Sequence, residues 1–415
     1  MIKKDMQFYR FSLYGFLKNL RFFELFIILI FRDNGLTFLQ IGLLYSIRDL
    51  TNYLTEIPSG FFADTFGRRK SMVFAFTAYI ISFFIFYAFS DFYLLAVAMV
   101  LFGLGESFRS GTHKALILEY LRLNNMLDLK IAYYGRTRSA SQMGSAFNSL
   151  IAAGLLFLSG EYRTMFIATT IPYLINLINL ATYPKILDGE LSRFDRRALW
   201  GQVKGTFKNF IGIFKNRQVM RSILNSAGFT ALFKTTKDYL QPILESLALA
   251  SPFLLVLDDV NRSGIVVGIV YFFIYVLTSY ASRSSDRISR RFTNMATAIN
   301  KTFLAGAGLL FIAGLASRQD LAIISVFVFL GFYILQNLRK PMNVAFVSDR
   351  ISHKVMASGL SVEAQVKTIL VAIFAPVMGA LADSFGVGNA LICLSLVALS
   401  SYYFVFVENY PLNSK

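Results

Sequence analysis

The sequence predicts an all-α membrane protein in which twelve transmembrane helices form two pseudo-symmetric bundles of six. Three observations lead to this prediction: an apolar composition, twelve long apolar segments, and basic residues gathered in alternate loops. Of the 415 residues, 55% are hydrophobic and only 16% are charged, and the mean hydropathy is +0.55. This composition is typical of a polytopic membrane protein and excludes an ordinary soluble domain.

Each of the twelve apolar segments is long enough to cross a bilayer. In chain order they are predicted at 11–32, 39–62, 71–90, 92–115, 138–158, 164–183, 220–245, 263–282, 295–316, 321–344, 357–382 and 389–407. The third, sixth and twelfth carry no charged residue, and the ninth carries only Lys301 near one end. Because a charge at mid-membrane is costly against lipid, the charge-bearing helices should face protein or a wet cavity, and every third helix should face lipid.

The basic residues indicate the topology. They are dense in alternate loops, such as 68–70 and 287–291, and sparse in the loops between. By the positive-inside rule, both termini are expected in the cytoplasm, and the protein is expected in the bacterial plasma (inner) membrane. The net charge of +17 is explained by this topology, so nucleic acid is not an expected partner. The one cysteine, Cys393, excludes intrachain disulfides and cysteine-based metal clusters.

The chain is predicted to divide into an N-terminal six-helix bundle (1–183), a cytoplasmic linker (184–219) and a C-terminal six-helix bundle (220–415). Apolar residues recur at helical spacing within the linker, with lysines between them, which predicts an amphipathic helix on the inner leaflet. These apolar residues are Trp200, Val203, Phe207, Phe210, Ile211 and Phe214.

Three charge patterns recur in the same order in both halves, with offsets that drift slowly from 216 to 230 residues. The matched groups are Lys18 and Arg21 with Lys234 and Lys237; Asp64, Arg68 and Arg69 with Asp286, Arg290 and Arg291; and Arg109 and Glu119 with Arg339 and Asp349. Three ordered matches indicate two homologous halves.

The loop after the second segment reads Gly60-Phe-Phe-Ala63-Asp64-Thr-Phe-Gly67-Arg68-Arg69-Lys70, and with it the chain resembles the major facilitator superfamily over essentially its full length. Gly60 is expected to let two helices approach, Gly67 to make a tight turn, and Asp64 to face a helix N-terminus or a guanidinium. The resemblance implies that this segment, with Arg68 and Arg69, is a cytoplasmic gate that locks the halves together.

The second-half copy of this segment keeps Asp286 and Arg290 but has serine in place of both glycines. A similar run, Gly379 to Gly386, lacks the basic triplet and is predicted to be a helix end and turn. A loop that merely obeys the positive-inside rule is the alternative interpretation of 60–70.

Departures from the family's patterns leave the subfamily open. The fifth segment has no proline between Gly144 and Gly154, unlike drug–proton antiporters, and the sugar-porter signature is absent around Tyr183.

Charged residues deep in the segments form the candidate site. Seven basic residues lie there: Lys18, Arg21, Arg48, Arg109, Lys234, Lys237 and Lys367. Five acidic residues lie at comparable depth: Glu24, Asp49, Glu106, Asp238 and Glu363. The positive surplus suits an anionic or zwitterionic solute. The predicted substrate-binding residues are Tyr14, Lys18, Arg21, Lys234, Lys237, Gln241, Arg48 and Arg109, and the predicted proton-coupling residues are Glu24, Asp49, Glu106 and Asp238.

The alternative is that these charges are structural ion pairs, such as Glu363 with Lys367 or Asp49 with Arg48 or Lys18. In that case Glu24 and Asp238 would be the partners of the paired cations in segments one and seven.

The predicted function is secondary active transport of a small solute, an organic anion or zwitterion, by alternating access with proton coupling. Sodium coupling is less supported, and a multidrug efflux antiporter or a non-transporting membrane receptor are the alternatives. An enzyme is not expected, since the sequence has neither a His-Glu-x-x-His pair nor a phosphate-binding Gly-x-x-x-x-Gly-Lys-Ser/Thr loop. No cofactor or metal is expected; the predicted partners are the solute, a coupling ion and membrane lipids, with the protein a monomer.

Overall fold

The computed structural model describes residues 5–191, 217–252, 255–350 and 356–408, together with positions 195, 197, 200, 201, 204 and 205. The side chains of 131, 132, 283, 286, 345, 347–350 and 356–361 are not among those described. The described residues are helices joined by short turns, and no strand occurs among them.

The described residues of the first half contain eight α-helices. They are α1 (Met6–Leu17), α2 (Ile27–Asp33), α3 (Phe38–Phe66), α4 (Arg68–Ala88), α5 (Phe92–Arg109), α6 (Thr112–Leu123), α7 (Lys130–Ser159) and α8 (Thr164–Ala181). Short 3₁₀ helices lie at Phe22–Leu25, Leu127–Leu129 and Lys185–Asp188.

The described residues of the second half contain seven α-helices. They are α9 (Arg217–Thr236), α10 (Leu240–Ala250), α11 (Asp259–Ser289), α12 (Met295–Arg318), α13 (Ala322–Arg350), α14 (Met356–Phe385) and α15 (Val387–Val405). A 3₁₀ turn, Lys237–Tyr239, separates α9 from α10.

The all-α membrane fold predicted from the sequence is confirmed. Each of the twelve predicted segments coincides with one helix or with an interrupted pair, and nine helices of the described chain are long and apolar enough to cross a membrane. Three segments that hydropathy outlines as continuous are interrupted: the first between α1 and α2, the fourth between α5 and α6, and the seventh between α9 and α10. Hydropathy averages over a window and therefore does not detect a break of a few residues.

The chain forms two compact units, each built from several stretches of sequence. One comprises Met1–Gly35, Ile47–Gln202 and Leu257–Phe272, and the other comprises Leu36–Ser46, Val203–Val256 and Phe273–Lys415. Helices α3 and α11 each contribute to both units. The predicted amphipathic helix of 184–219 lies largely outside the described residues.

Candidate solute-binding site

The interruption between α1 and α2 contains Lys18 and Arg21. Its freed backbone groups are paired by side chains of α8: the Tyr173 hydroxyl donates to the carbonyl oxygen of Lys18 at 3.1 Å, and the first amide of the 3₁₀ helix donates to Thr169 Oγ1 at 3.1 Å. Unpaired backbone groups are not tolerated in hydrocarbon, so these contacts stabilise the break.

Helix α7 approaches α1 closely at this break. A Cβ atom on Gly144 would lie 2.4 Å from the carbonyl oxygen of Phe16, so only glycine fits there. The Asn19 side-chain amide donates to the carbonyl oxygens of Gly15 at 2.9 Å and Ser141 at 2.8 Å. Asn19 thus satisfies one of the last carbonyls of α1 and also joins the two helices.

A buried ion-pair cluster lies beside the break and joins Arg21, Glu106 and Arg109. Each carboxylate oxygen of Glu106 accepts from one guanidinium at 2.5 Å: Oε1 from Arg21 and Oε2 from Arg109. Arg21 Nε also donates to Tyr173 at 2.6 Å, and Arg109 Nε donates to Tyr79 at 3.0 Å. The cluster has two positive charges and one negative charge, so it has a net positive charge.

An aromatic stack continues from Lys18. The rings of Tyr14 and His113 lie parallel, with centroids 3.6 Å apart and an interplanar angle of 16°. Lys18 Nζ lies 5.7 Å from the centroid of the Tyr14 ring. The stack therefore presents a flat, rigid wall next to a cation.

A cavity of about 400 Å³ opens beside this stack, between α1, α6 and α7. It is lined by Phe11, Tyr14, Gly15, Lys18, Asn19, His113, Ile117, Tyr134, Thr137, Arg138, Ser141, Gln142 and Ser145. Sequence reasoning identified Tyr14 and Lys18 but missed the α7 side chains. Their signal was a run of polar residues, from 134 to 145, on one helical face of an otherwise apolar segment.

The interruption of the seventh segment contains Lys237 and follows from Pro242. Proline has no amide proton to donate to the carbonyl of Asp238, four residues earlier, and is tolerated in the first turn of α10. Lys237 Nζ contacts Asp238 Oδ1 at 2.5 Å, and the hydroxyl of Tyr333 donates to the Lys237 carbonyl oxygen at 3.1 Å. Gln241, in the first turn of α10, is fully buried.

The interruptions of the first and seventh segments occupy equivalent positions of the repeat. The offset of 216 residues that relates Lys18 and Arg21 to Lys234 and Lys237 also brings the 3₁₀ helix Phe22–Leu25 onto the second break. Both cation pairs therefore lie in or beside a broken helix.

Other predicted site residues form local contacts. Arg48 Nε contacts Asp49 Oδ1 at 2.9 Å, which is one of the ion pairs named by the structural alternative. Glu363 accepts a hydrogen bond from Ser226 at 2.5 Å, whereas no ion pair between Glu363 and Lys367 occurs in the described residues. Glu24 lies exposed in the first 3₁₀ helix. Nowhere in the described chain could three or more His, Cys, Asp or Glu side chains hold a metal ion.

The segment 60–70 comprises the end of α3, the turn at Gly67 and the start of α4. Gly67 has φ +107°, a conformation that favours glycine, and the next helix begins at Arg68. The backbone amide of Arg69 donates to Asp188 Oδ1 at 2.7 Å, while Arg68 Nη1 lies 3.7 Å from Glu119 Oε2. The carboxylate at the start of α4 therefore belongs to Asp188, which sequence reasoning did not identify.

Gly60 and the second-half copy of the segment are the remaining parts of the predicted gate. A Cβ on Gly60 would meet no heavy atom within 4 Å among the described residues, and the close helix approach expected there stays a prediction. The side chain of Asp286 lies outside the described residues, and Arg290 follows the end of α11.

The run Gly379–Gly386 is a helix end and turn, and it also caps a helix. Asp383 accepts from the amides of Phe38 at 2.9 Å and Leu39 at 2.8 Å, at the start of α3, within the second unit. Gly386, with φ +81°, separates α14 from α15.

Arg339, the repeat equivalent of Arg109, has a different environment. It is fully buried, and its guanidinium donates to the carbonyl oxygen of Ile299 at 2.6 Å, to Thr302 Oγ1 at 2.9 Å, and to the carbonyl and side-chain oxygens of Asn225. No carboxylate contacts it among the described side chains. Arg339 therefore joins α9, α12 and α13, and the ion-pair cluster of the first unit has no counterpart at this position.

The family described as Major Facilitator Superfamily matches residues 13–363. The crystal structure of the nucleoside transporter NupG has a TM-score of 0.77 at 13% identity, covering 98% of this chain and 100% of that chain, and a point mutant of NupG has 0.78 at 14%, covering 96% and 99%. The peptide transporter POT in complex with sulfate has 0.70 at 14%, covering 96% and 94%. No curated protein sequence matches significantly.

Proposed function

Because the chain belongs to the major facilitator superfamily, we propose that it is a secondary active transporter that moves a small solute by alternating access. The solute is an organic anion or zwitterion. The observation that carries this proposal is the pair of helix interruptions at equivalent repeat positions, each accompanied by two cations.

Interrupted helices support a transport site for a physical reason. A continuous helix satisfies its own backbone in hydrocarbon, so a break is tolerated only where it is buried in protein or lines a wet cavity. In transporter folds such breaks lie near the bilayer midplane and present helix ends and polar side chains to the solute.

Charge supports an anionic group on the solute. Arg21 and Arg109 both contact the single carboxylate of Glu106, which leaves a positive surplus in the first unit. A guanidinium fork matches a carboxylate or phosphate group in two-point geometry. Tyr14, Lys18, Arg21, Arg48 and Arg109 in the first unit, and Lys234, Lys237 and Gln241 in the second, are the proposed solute contacts.

Proton coupling is proposed to use one of Glu24, Asp49, Glu106 and Asp238. Glu106 has the geometry best suited to an exchange, since both of its oxygens are held by guanidinium groups. A solute anion that binds Arg21 replaces the carboxylate there, and the displaced Glu106 oxygen then accepts a proton. One negative charge and one proton are thus bound together.

The turn at 60–70 is proposed as the cytoplasmic gate, in which Gly60, Asp64, Gly67, Arg68 and Arg69 act with the second-half residues Asp286 and Arg290. Its support is the sequence signature, the glycine turn at Gly67 and the contacts of Arg68 and Arg69. The protein, an integral membrane protein, is proposed to be a monomer of the bacterial inner membrane with both termini in the cytoplasm.

Uptake by proteoliposomes tests this function. Uptake of labelled organic anions and zwitterions is measured with and without an imposed pH gradient. Uptake of a cationic dye is measured in parallel to test for multidrug transport. We expect flux of an anion or zwitterion that rises with the gradient and is lost in Arg21→Gln, Lys234→Gln and Lys237→Gln. Arg318→Gln, an exposed arginine at the end of α12, is the matched control.

Three results would overturn parts of the proposal. Binding of a solute with no flux under any gradient would identify a receptor, and flux of the dye alone would identify a multidrug antiporter. Flux indifferent to the pH gradient and to neutralisation of all four carboxylates would exclude proton coupling.

A further inference from the structure

We propose that the cavity between α1, α6 and α7 is the specificity pocket for a hydroxylated organic anion, and that Arg138 is its second cation beside Lys18. This inference rests on the proposed transport function, because it assigns the class of solute that the transporter recognises. Lys18 links the cavity to the proposed transport site, since it lines the cavity and lies three residues before Arg21 in the same helix interruption.

The charges around the cavity point to an anion. Lys18 and Arg138 line it, and none of the described residues that line it is acidic. A third cation lies near the rim, since Lys114 Nζ is 5.8 Å from the ring centroid of Tyr134, which also lines the cavity. Two lining cations without a lining carboxylate raise the local positive potential and favour an acidic group on the ligand.

The face of α7 points to hydroxyl groups on the same ligand. Thr137, Ser141 and Ser145 recur every four residues, and Arg138 and Gln142 form the adjoining row, so all five lie on one face of the helix. Hydroxyl and amide groups both donate and accept hydrogen bonds. Thr137 and Ser145 donate to backbone carbonyl oxygens of α7, so their hydroxyl oxygens remain as acceptors for the hydroxyl groups of a solute. An apolar acid makes no such hydrogen bonds and should bind more weakly.

The size and wall of the cavity limit the ligand. A volume of about 400 Å³ lies near the lower end of the range for ligand pockets, which suits one solute of about hexose size. The parallel rings of Tyr14 and His113 form a stiff wall on one side. A rigid wall reduces the entropy lost on binding and selects for a compact ligand.

The experiment uses three probes that share one carbon skeleton, with the full-length protein purified in detergent. Gluconate carries a carboxylate, glucose 6-phosphate carries a phosphate ester, and glucose is neutral. Calorimetry and melting curves are measured at equal ionic strength, with hexanoate as an acid without hydroxyl groups. We expect at least one charged hexose derivative to bind and to raise the melting temperature, and glucose and hexanoate to bind much more weakly; which probe binds distinguishes a carboxylate from a phosphate site.

Substitutions assign the binding to the cavity. Lys18→Gln and Arg138→Gln should each weaken binding of the preferred probe by about ten- to a hundred-fold, as expected for one charge-assisted hydrogen bond. Arg138→Lys should retain part of the affinity, which shows that the pocket is still folded. Arg136→Gln, an exposed arginine on the same helix that does not line the cavity, should bind as the unmodified protein does.

The outcomes separate this inference from the transport proposal. If neither charged probe binds more tightly than glucose, if hexanoate binds equally well, or if Arg138→Gln retains full affinity, the pocket assignment is wrong. Flux of a solute that is unchanged in both Lys18→Gln and Arg138→Gln would leave transport intact and overturn the pocket. Binding that follows the expected pattern without any flux would instead overturn transport.

Discussion

Replacing Glu106 with glutamine tests the ion-pair cluster most directly. The substitution nearly preserves shape but removes the negative charge that lies 2.5 Å from both Arg21 and Arg109. The side chains of the three residues are only 16–22% exposed, so water replaces little of the lost interaction. Removing one partner of a buried pair costs about 3–5 kcal/mol. With an unfolding entropy of about 2.1 cal/mol/K per residue, that loss lowers the melting temperature of 415 residues by about 3–6 °C.

The assay is a melting curve of detergent-purified protein followed with a thiol-reactive dye. The chain has one cysteine, Cys393, which is partly buried, so the dye reports its exposure on unfolding. Glu161→Gln, at an exposed site between α7 and α8, is the control. Arg21→Gln should destabilise less than Glu106→Gln, because Arg109 keeps its carboxylate, and the double variant should recover part of the loss. If Glu106→Gln has the same melting temperature as the Glu161→Gln control, the cluster does not stabilise the fold as its geometry indicates.

Further predictions concern the gate turn, a helix cap and a close helix contact. Asp64→Asn and Arg68→Ala should each slow transport in proteoliposomes while membrane insertion stays normal; unchanged rates in both would contradict a gating role. Asp383→Asn leaves one acceptor oxygen for the two amides at the start of α3 and should cost about 1 kcal/mol of stability, seen as a lower melting temperature. Gly144→Ala places a Cβ 2.4 Å from a carbonyl oxygen of α1 and should cost about 1–3 kcal/mol, whereas Gly154→Ala on the same helix enters open space and should not destabilise; equal melting of the two would refute the close contact.

Helix positions could be predicted closely from the sequence. The ninth segment was expected at 295–316 and is found at Met295–Arg318; the sixth was expected at 164–183 and is found at Thr164–Ala181. A transmembrane helix needs about 20 apolar residues in a row, so its position is encoded locally. The interruption at Lys237–Tyr239 could be predicted in part from the sequence, because Pro242 indicates a disturbed helix. The break at Lys18 contains no proline and depends on partners in α7 and α8.

The site was predictable only as a set of charges. Arg21, Glu106 and Arg109 were all candidates, yet the structural alternative named Glu24 as the carboxylate of segment one, while Arg21 contacts Glu106, 85 residues further along the chain. The contact of Lys237 with Asp238 was predictable because the residues are adjacent. Arg138 was missed because an arginine near the start of the fifth segment looks like an ordinary membrane-end residue until α1 and α6 are packed against it.

The sequence by itself determined that this protein is a helical membrane protein with a repeated architecture. Hydrophobicity, loop charge and repeat offsets are properties of the linear sequence and do not depend on how the helices pack. Only the tertiary structure decided which charges pair, where the predicted helices break, and which face of α7 lines a cavity. The physical reason is that an ion pair or a backbone hydrogen bond acts over about 3 Å, whereas the residues that make it are separated by up to 345 positions in sequence, as Asp383 is from Phe38.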